Sequence, residues 1–554
     1  MTIGFLIKFA GTLMDLSLPW IFAYMIDTII PRNSVTEILK WGGAMLIASI
    51  LAVTFNIVAN RKASKVARDA TEQIRYDVFE KIAYLSNSKI DYFTKPSLIS
   101  RITTDTYNIH QMIGRIQRLG VRAPILLIGG ILITLTLDPI LTLVLIILLP
   151  FISFIMLYVS KKSIPMYRDL QEFIDKLVRI VREDISGIRI IKALSKTEYE
   201  KNKFNVINTE VIYQEKKTSM LMAGLSPIIN IILNTGLVLV IIVGAYRVNT
   251  GATEVGKILA FMTYFTLIST AMMSISKMFV ITSKAVASGN RIMEIIDSTE
   301  DIFPQMFEQE VSDYFIEFDQ VSFSYNKVED NVTDLSFQLK KGETLGIIGE
   351  TGSGKTTIIN LLMRFYDVDK GMISIDGLNI KSYEIKELRE KFGVVFQNDV
   401  LFEDSIYENI RLGRELSEEQ IEKAIEYARA KEFVDESENG SSNKLNIKGA
   451  NLSGGQKQRI LIARALAASP DILILDDSSS ALDYKTDAAL RKEIGTHFKD
   501  TTTIIIAQRV SSIMNADHII VLEDGKIIGF GNHEELIENC EIYKEICVSQ
   551  MGGE

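Results

Sequence analysis

Cysteine is nearly absent. The 554-residue chain holds two, Cys540 and Cys547, seven positions apart near the C-terminus. That excludes a disulfide scaffold, and with no second pair nearby it argues against a metal cluster. The two thiols read as reduced groups sharing one helix face. Histidine is also sparse. His110, His497, His518 and His533 are scattered along the chain, which leaves no metal centre or catalytic triad, and His533 reads as part of a helix entry. There is no excess of basic charge. Sixty Lys and Arg stand against 69 Asp and Glu, for a net charge of −9, and no long basic tail exists. Nucleic acid is therefore not an expected partner. Apolar residues are abundant instead. A mean hydropathy of +0.18 is high for a soluble chain.

The apolar residues are concentrated before about Ala285. Runs at 3–30, 38–59, 119–137, 140–159, 221–246 and 258–281 each approach the roughly 20 residues needed to cross a bilayer core. The first is too long for a signal peptide and lacks a small-residue cleavage site. Residues 125–136 and 140–158 carry no charge, and Asp138-Pro139 makes a tight turn between them. Lys and Arg crowd the stretches 61–118 and 161–217, while the other connections hold few. The positive-inside rule places both basic stretches in the cytoplasm. They contain few turn residues, so the spanning helices are expected to continue well beyond the membrane. Residues 105–108 and 183–196, near the middle of each excursion, read either as docking positions for a soluble domain or as solvated helical turns. Met262, Met272, Met273 and Met278, among Phe261, Tyr264 and Phe265, read as helix packing or lipid-facing side chains in preference to a promiscuous cavity. Lys277 and Lys284 are expected to snorkel at the inner end of the sixth span. Residues 298–313 break the periodicity and form a linker.

Beyond about Tyr314 the pattern becomes that of an α/β domain. Gly349, Glu350, Thr351, Gly352, Ser353, Gly354, Lys355 and Thr356 match the phosphate-loop pattern G-x-x-x-x-G-K-[ST], between a strand-like run (344–348) and a helical run (356–366). The glycines let the backbone wrap a phosphate. Its N–H groups and the helix N-terminus then face the anionic oxygens. Lys355 reaches the β- and γ-phosphates, and the Thr356 hydroxyl holds Mg²⁺. Four more signals follow in order. A short strand (392–396) ends at Gln397. Leu452, Ser453, Gly454, Gly455 and Gln456 open a helix (457–468). A buried strand (472–475) ends in Asp476-Asp477. A last strand (503–507) ends at Gln508. Carboxylates at a buried strand end beside a phosphate loop handle Mg²⁺ and the attacking water. Asp476 is the expected Mg²⁺ partner and Asp477 the expected base.

These motifs, over nearly the whole chain, resemble an ATP-binding cassette (ABC) exporter half-transporter. The signature Leu452–Gln456, lying between the phosphate loop and the Asp-ending strand, carries the resemblance. It implies a six-helix, all-α transmembrane domain (1–297), the linker (298–313) and an α/β P-loop nucleotide-binding domain (314–554) in the cytoplasm, on a multi-pass protein of the cell membrane. It further implies that Tyr325 stacks on adenine and that Thr357 joins the phosphate loop in binding ATP. Gln397 is then the Q-loop residue near Mg²⁺, Ser480 to Asp483 the D-loop, and the two docking positions the coupling helices. Two cassettes pair head to tail around two ATPs, each held by one chain's phosphate loop and the other's signature. The partners are a second half-transporter, membrane lipid and a hydrophobic or amphipathic drug, lipid or peptide. A soluble ABC ATPase of translation or repair does not fit the spanning helices, and fusion of the two domains disfavours an importer.

Four positions depart from the family. Asp477 stands where active members carry Glu, and Gln508 where they carry His. Asp is one methylene shorter, on the order of 1 Å, a displacement that costs roughly 10²-fold in rate. Gln cannot relay a proton as His can. Loss of a placed general base costs about 10²–10⁴-fold, or about 3–5 kcal/mol of barrier. Asn446-Ile447-Lys448-Gly449 lacks the acid that often precedes the signature. The first span begins almost at Met1, where relatives carry an elbow helix, so a start codon assigned too late is suspected. The expectation is a degenerate half of a heterodimer, whose partner supplies the catalytic Glu and His. The alternatives are a homodimeric exporter that hydrolyses ATP with Asp477, and a mainly regulatory ATP-binding half.

Overall fold

The computed structural model describes residues 2–299, 302–309, 312–478 and 481–551. The chain divides into two compact units, residues 1–83 with 95–298, and residues 84–94 with 299–554.

The first unit is helical. Six helical segments are long and apolar enough to cross a membrane: Thr2–Arg32, Val35–Ala83, Lys95–Leu137, Pro139–Ser186, Thr197–Asn249 and Val255–Ile275. The longer ones outrun any bilayer. At 1.5 Å per residue, 49 residues in Val35–Ala83 span about 70 Å, against a hydrocarbon core of about 30 Å. The helices therefore extend past the apolar runs, as the scarcity of turn residues implies. Asp138 caps the fourth helix by accepting from the N–H groups of Ile140 (2.9 Å) and Leu141 (3.2 Å), and Pro139 follows at the first helical position. Phe261, Tyr264, Phe265 and Ile268 are buried against Leu16, Leu126, Leu141 and Val240. Met262 packs on this cluster, and Met272 and Met273 on Ile152, Met156 and Ile229. The methionine patch is thus helix packing. The side chain of Lys277 lies outside the described residues.

One expected docking position is corrected. Asp105 is 1% exposed and held inside the helical unit. Its carboxylate accepts from Arg291 Nε (2.8 Å) and Ser288 Oγ (2.8 Å). Its charge is therefore paired within its own unit. The segment grouped with the second unit comes earlier, at 84–94. There the chain leaves its long helix, Ser86 caps the short helix Asn87–Phe93, and Thr94 turns out of it at φ +63°. The second position behaves differently. Around Gly187 and 194–196 the helices break, and the residues are mostly exposed.

The second unit holds two sheets. β1 (Ile316–Phe323), β2 (Val332–Leu339), β4 (Lys370–Ile375) and β5 (Leu378–Asn379) form an antiparallel sheet in the order β2-β1-β4-β5. β3 (Thr344–Gly349), β6 (Phe392–Val395), β7 (Ile472–Asp476), β8 (Thr502–Ile506), β9 (His518–Glu523) and β10 (Lys526–Gly531) form the second, in the order β10-β9-β3-β8-β7-β6. It is parallel except at β10. β7 is buried at all five positions, as the apolar run Ile472–Leu475 leading to Asp476 implies. Because β3 and β7 both flank β8, the ends of all three strands open on one edge of the sheet.

Candidate nucleotide site

The phosphate loop leaves β3 and closes into the helix Lys355–Leu362. Two glycines are sterically required. A Cβ on Gly349 would lie 2.1 Å from the Leu522 carbonyl oxygen, and Gly354 turns at φ +100°. The Ser353 hydroxyl oxygen is buried with no hydrogen-bond partner among the described residues. Lys355 Nζ donates to the carbonyls of Gly349 (2.9 Å) and Glu350 (2.6 Å), so its ammonium lies across the loop. Burial lowers the Lys355 pKa, opposed by Asp476 and Asp477. An orphaned hydroxyl, a glycine cradle and an ammonium fit a polyphosphate.

The expected cation partners also meet. Thr356 Oγ1 donates to Asp476 Oδ2 at 3.3 Å. Asp476 ends β7 and is 3% exposed; burial raises its pKa, while the Thr356 hydroxyl and the Gln397 backbone N–H stabilise its charge. A hydroxyl and a buried carboxylate suit Mg²⁺, a hard cation with oxygen ligands. Among the described residues no group of three or more His, Cys, Asp and Glu forms a self-sufficient metal site. Gln397 lies exposed in the turn after β6.

Asp477 follows in a left-handed conformation (φ +52°), and its N–H donates to the Ile506 carbonyl (2.9 Å). Asp tolerates that region better than most residues. Gln508, just beyond β8, donates from Nε2 to Asp477 Oδ2 at 3.4 Å. The two departures from the family pattern therefore touch. A residue the sequence did not single out bonds the backbone beside Gln508: Gln550, on the last helix, donates to the Gln508 carbonyl (2.7 Å) and accepts from the Val510 N–H (2.8 Å).

Tyr325 is 42% exposed just after β1. Its hydroxyl accepts from Asn360 Nδ2 (3.0 Å) and lies 3.5 Å from Thr357 Oγ1, which ties the ring to the helix behind the phosphate loop. The helix Gly454–Leu466 starts with a capping box between Ser453 and Gln456, and Ser453 and Gly454 are exposed. A Cβ on Gly454 would touch the Ala481 Cβ at 3.5 Å, so signature and D-loop adjoin. Asp483 caps the next helix through the Thr486 N–H (3.0 Å). Ser480, the first D-loop residue, lies outside the described residues. Asn446–Gly449 includes a short turn with Lys448 at φ +57°. His533 Nδ1 lies 2.7 Å from the Tyr543 hydroxyl, and His497 stacks on Tyr427.

The family description "ABC transporter transmembrane region" matches residues 1–272, and "ABC transporter" matches residues 332–480. The chain belongs to the ABC transporter family. It is 34% identical over 546 residues to the ABC transporter ATP-binding protein YfiB of Bacillus subtilis, covering 98% of this chain and 94% of that one. It is 31% identical over 499 residues to the ATP-dependent lipid A-core flippase of Vibrio vulnificus, covering 88% and 84%. A bacterial Atm1-family ABC exporter with ATP bound has the same fold, with a TM-score of 0.84 at 24% identity, over 100% of this chain and 98% of that one. This ABC transporter is thus a multi-pass membrane protein, with six spans followed by a P-loop domain in the cytoplasm. It binds ATP with Mg²⁺ and couples ATP to transport across a membrane.

Proposed function

We propose that two copies of this chain pair head to tail as an exporter. Each ATP lies between the phosphate loop of one copy and the signature of the other, and Asp477 serves as the catalytic carboxylate. The observation that carries this reading is that both halves of the composite site are intact in one chain. Gly349–Thr356 keeps its full pattern and its cradle, and Leu452–Gln456 keeps its full pattern, with Ser453 and Gly454 exposed at a capped helix start. Two copies therefore supply the phosphate loop and the signature that each of two ATP sites requires. Lys355 and Ser353 bind phosphate oxygens, and Thr356, Asp476 and Gln397 would hold Mg²⁺, which neutralises developing charge when bound. Asp477 orients and deprotonates water, with Gln508 holding its carboxylate. The cargo is a hydrophobic or amphipathic molecule. A lipid-like amphiphile suits the relative named as a lipid A-core flippase.

A second reading rests on Asp477 and Gln508 themselves. A short carboxylate beside a group that cannot relay a proton suits a degenerate site, with this chain's signature completing the competent site of an unlike partner. One experiment separates the two: ATPase activity of the purified chain, with and without Asp477→Glu plus Gln508→His. Brisk turnover by the chain alone supports the self-paired exporter. Near-silence, relieved about 10²-fold by the double change, supports the unlike pair.

A further inference from the structure

Tyr325 does not stand alone. Its ring meets the Tyr366 ring edge-on, with centroids 5.0 Å apart and planes at 88°, and both rings pack on Phe323. The Tyr366 hydroxyl donates to Asp91 Oδ2 at 2.5 Å. Asp91 lies in the short helix Asn87–Phe93, within the segment that groups with the nucleotide-binding unit although its sequence falls between two membrane-unit helices. Burial, and then Asp91, hold the Tyr366 phenol in its protonated form, so it remains a donor. On its far side Tyr325 is tethered through its own hydroxyl to Asn360 and Thr357. The ring is therefore fixed at both ends, by the phosphate-loop helix and by Tyr366.

We infer that Asp91 and Tyr366 are positioning residues for the base of the bound nucleotide: the Asp91–Tyr366 hydrogen bond sets the orientation of the Tyr325 ring, and so the affinity for ATP. This rests on Tyr325 being the adenine platform. Stacking on an aromatic face depends on its orientation, and an edge-to-face neighbour is what fixes a half-exposed ring. A charge-assisted hydrogen bond holds that neighbour more strongly than a neutral one. Residues 84–94 are joined covalently at both ends to membrane-unit helices, so a shift of Asp91 is felt at the base, and base binding is felt at Asp91.

The test uses the full chain in detergent, with ATP and with tripolyphosphate, which has the phosphates but no base. Asp91→Ala and Tyr366→Phe should each weaken ATP binding about threefold to tenfold, and the double variant should do no more than either alone. Tripolyphosphate affinity should not move. In a Tyr325→Ala background, Asp91→Ala should have no further effect on ATP. An unchanged ATP affinity in Asp91→Ala overturns the inference. So does an equal loss for ATP and tripolyphosphate, which would mark general damage. If Tyr325→Ala itself leaves ATP binding intact, the platform reading fails as well, whereas a loss in Tyr325→Ala with none in Asp91→Ala removes this inference alone.

Discussion

Three aspartates are almost completely buried among the described residues, Asp105 and Asp138 in the helical unit and Asp476 in the nucleotide unit, and the surroundings of Asp105 and Asp476 differ. Asp105, 1% exposed among the helices, accepts from both ends of the Arg291 guanidinium and from Ser288. Asp476, 3% exposed at the end of β7, has the Thr356 hydroxyl at 3.3 Å, and no ion pair to it occurs among the described residues. Burying a carboxylate is expensive unless it is paired. The helical unit meets that cost internally. In the nucleotide unit the Thr356 hydroxyl, Lys355 and the Gln397 N–H offset only part of it, and burial still raises the Asp476 pKa. A buried charge with a full set of partners holds the fold, whereas one short of partners points to a ligand.

The strongest way to break this comparison is to neutralise each aspartate. Asp476→Asn should reduce ATP turnover about 10²–10³-fold, the usual loss when a fixed transition-state charge is removed. Its melting temperature should hold or rise, because an under-paired buried charge is gone. Single-turnover ATPase and thermal unfolding on the same sample check both halves. A melting temperature that fell sharply with turnover intact would make Asp476 structural.

The helical pair should give the reverse. Arg291→Ala leaves Asp105 buried without its guanidinium, and breaking a buried pair in this way costs about 3–5 kcal/mol at full burial. Arg291 is 48% exposed, so solvent screening reduces the figure. Asp105→Asn should cost less, because it leaves a guanidinium that water can reach. Thermal unfolding in detergent should rank Arg291→Ala as more damaging than Asp105→Asn, with nucleotide affinity unaffected in both. The opposite ranking would mean that Asp105 is not the buried partner that matters.

The same contrast explains what the sequence made legible. The phosphate loop, the signature and the Asp-ending strand are local patterns, and each stands where its pattern places it. Strand ends were off by only a residue or so: β8 spans Thr502–Ile506 against an expected 503–507. The helix after the phosphate loop ends earlier than its apolar pattern suggests, at Leu362, because Arg364 turns to φ +51° and buries its guanidinium against the carbonyls of Lys381 and Phe303. Asp105 was misread as a docking residue because its partner Arg291 lies 186 positions away. From sequence alone, a polar residue in a basic helical stretch looks solvated. Asp91 and Tyr366, 275 positions apart, were invisible for the same reason. Gln550 gave no signal at all, since a glutamine on a terminal helix has no motif.

Gln550 provides the smallest and most diagnostic effect. Its side chain bonds the backbone on both sides of Arg509, at the Gln508 carbonyl and the Val510 N–H. Its two hydrogen bonds among the described residues both go to this backbone, so its expected effect is to fix where Gln508 begins. Gln550→Ala removes two hydrogen bonds at an exposed site, about 1 kcal/mol each at most. Turnover should fall a fewfold, ATP affinity should stay the same, and Gln550→Glu should restore only the half of the contact that accepts from Val510. In the Gln508→Ala background, the Gln550→Ala change should lose its effect, because no side chain is left to place. If it still slows turnover there, Gln550 supports the fold of the switch segment as a whole and not the position of Gln508.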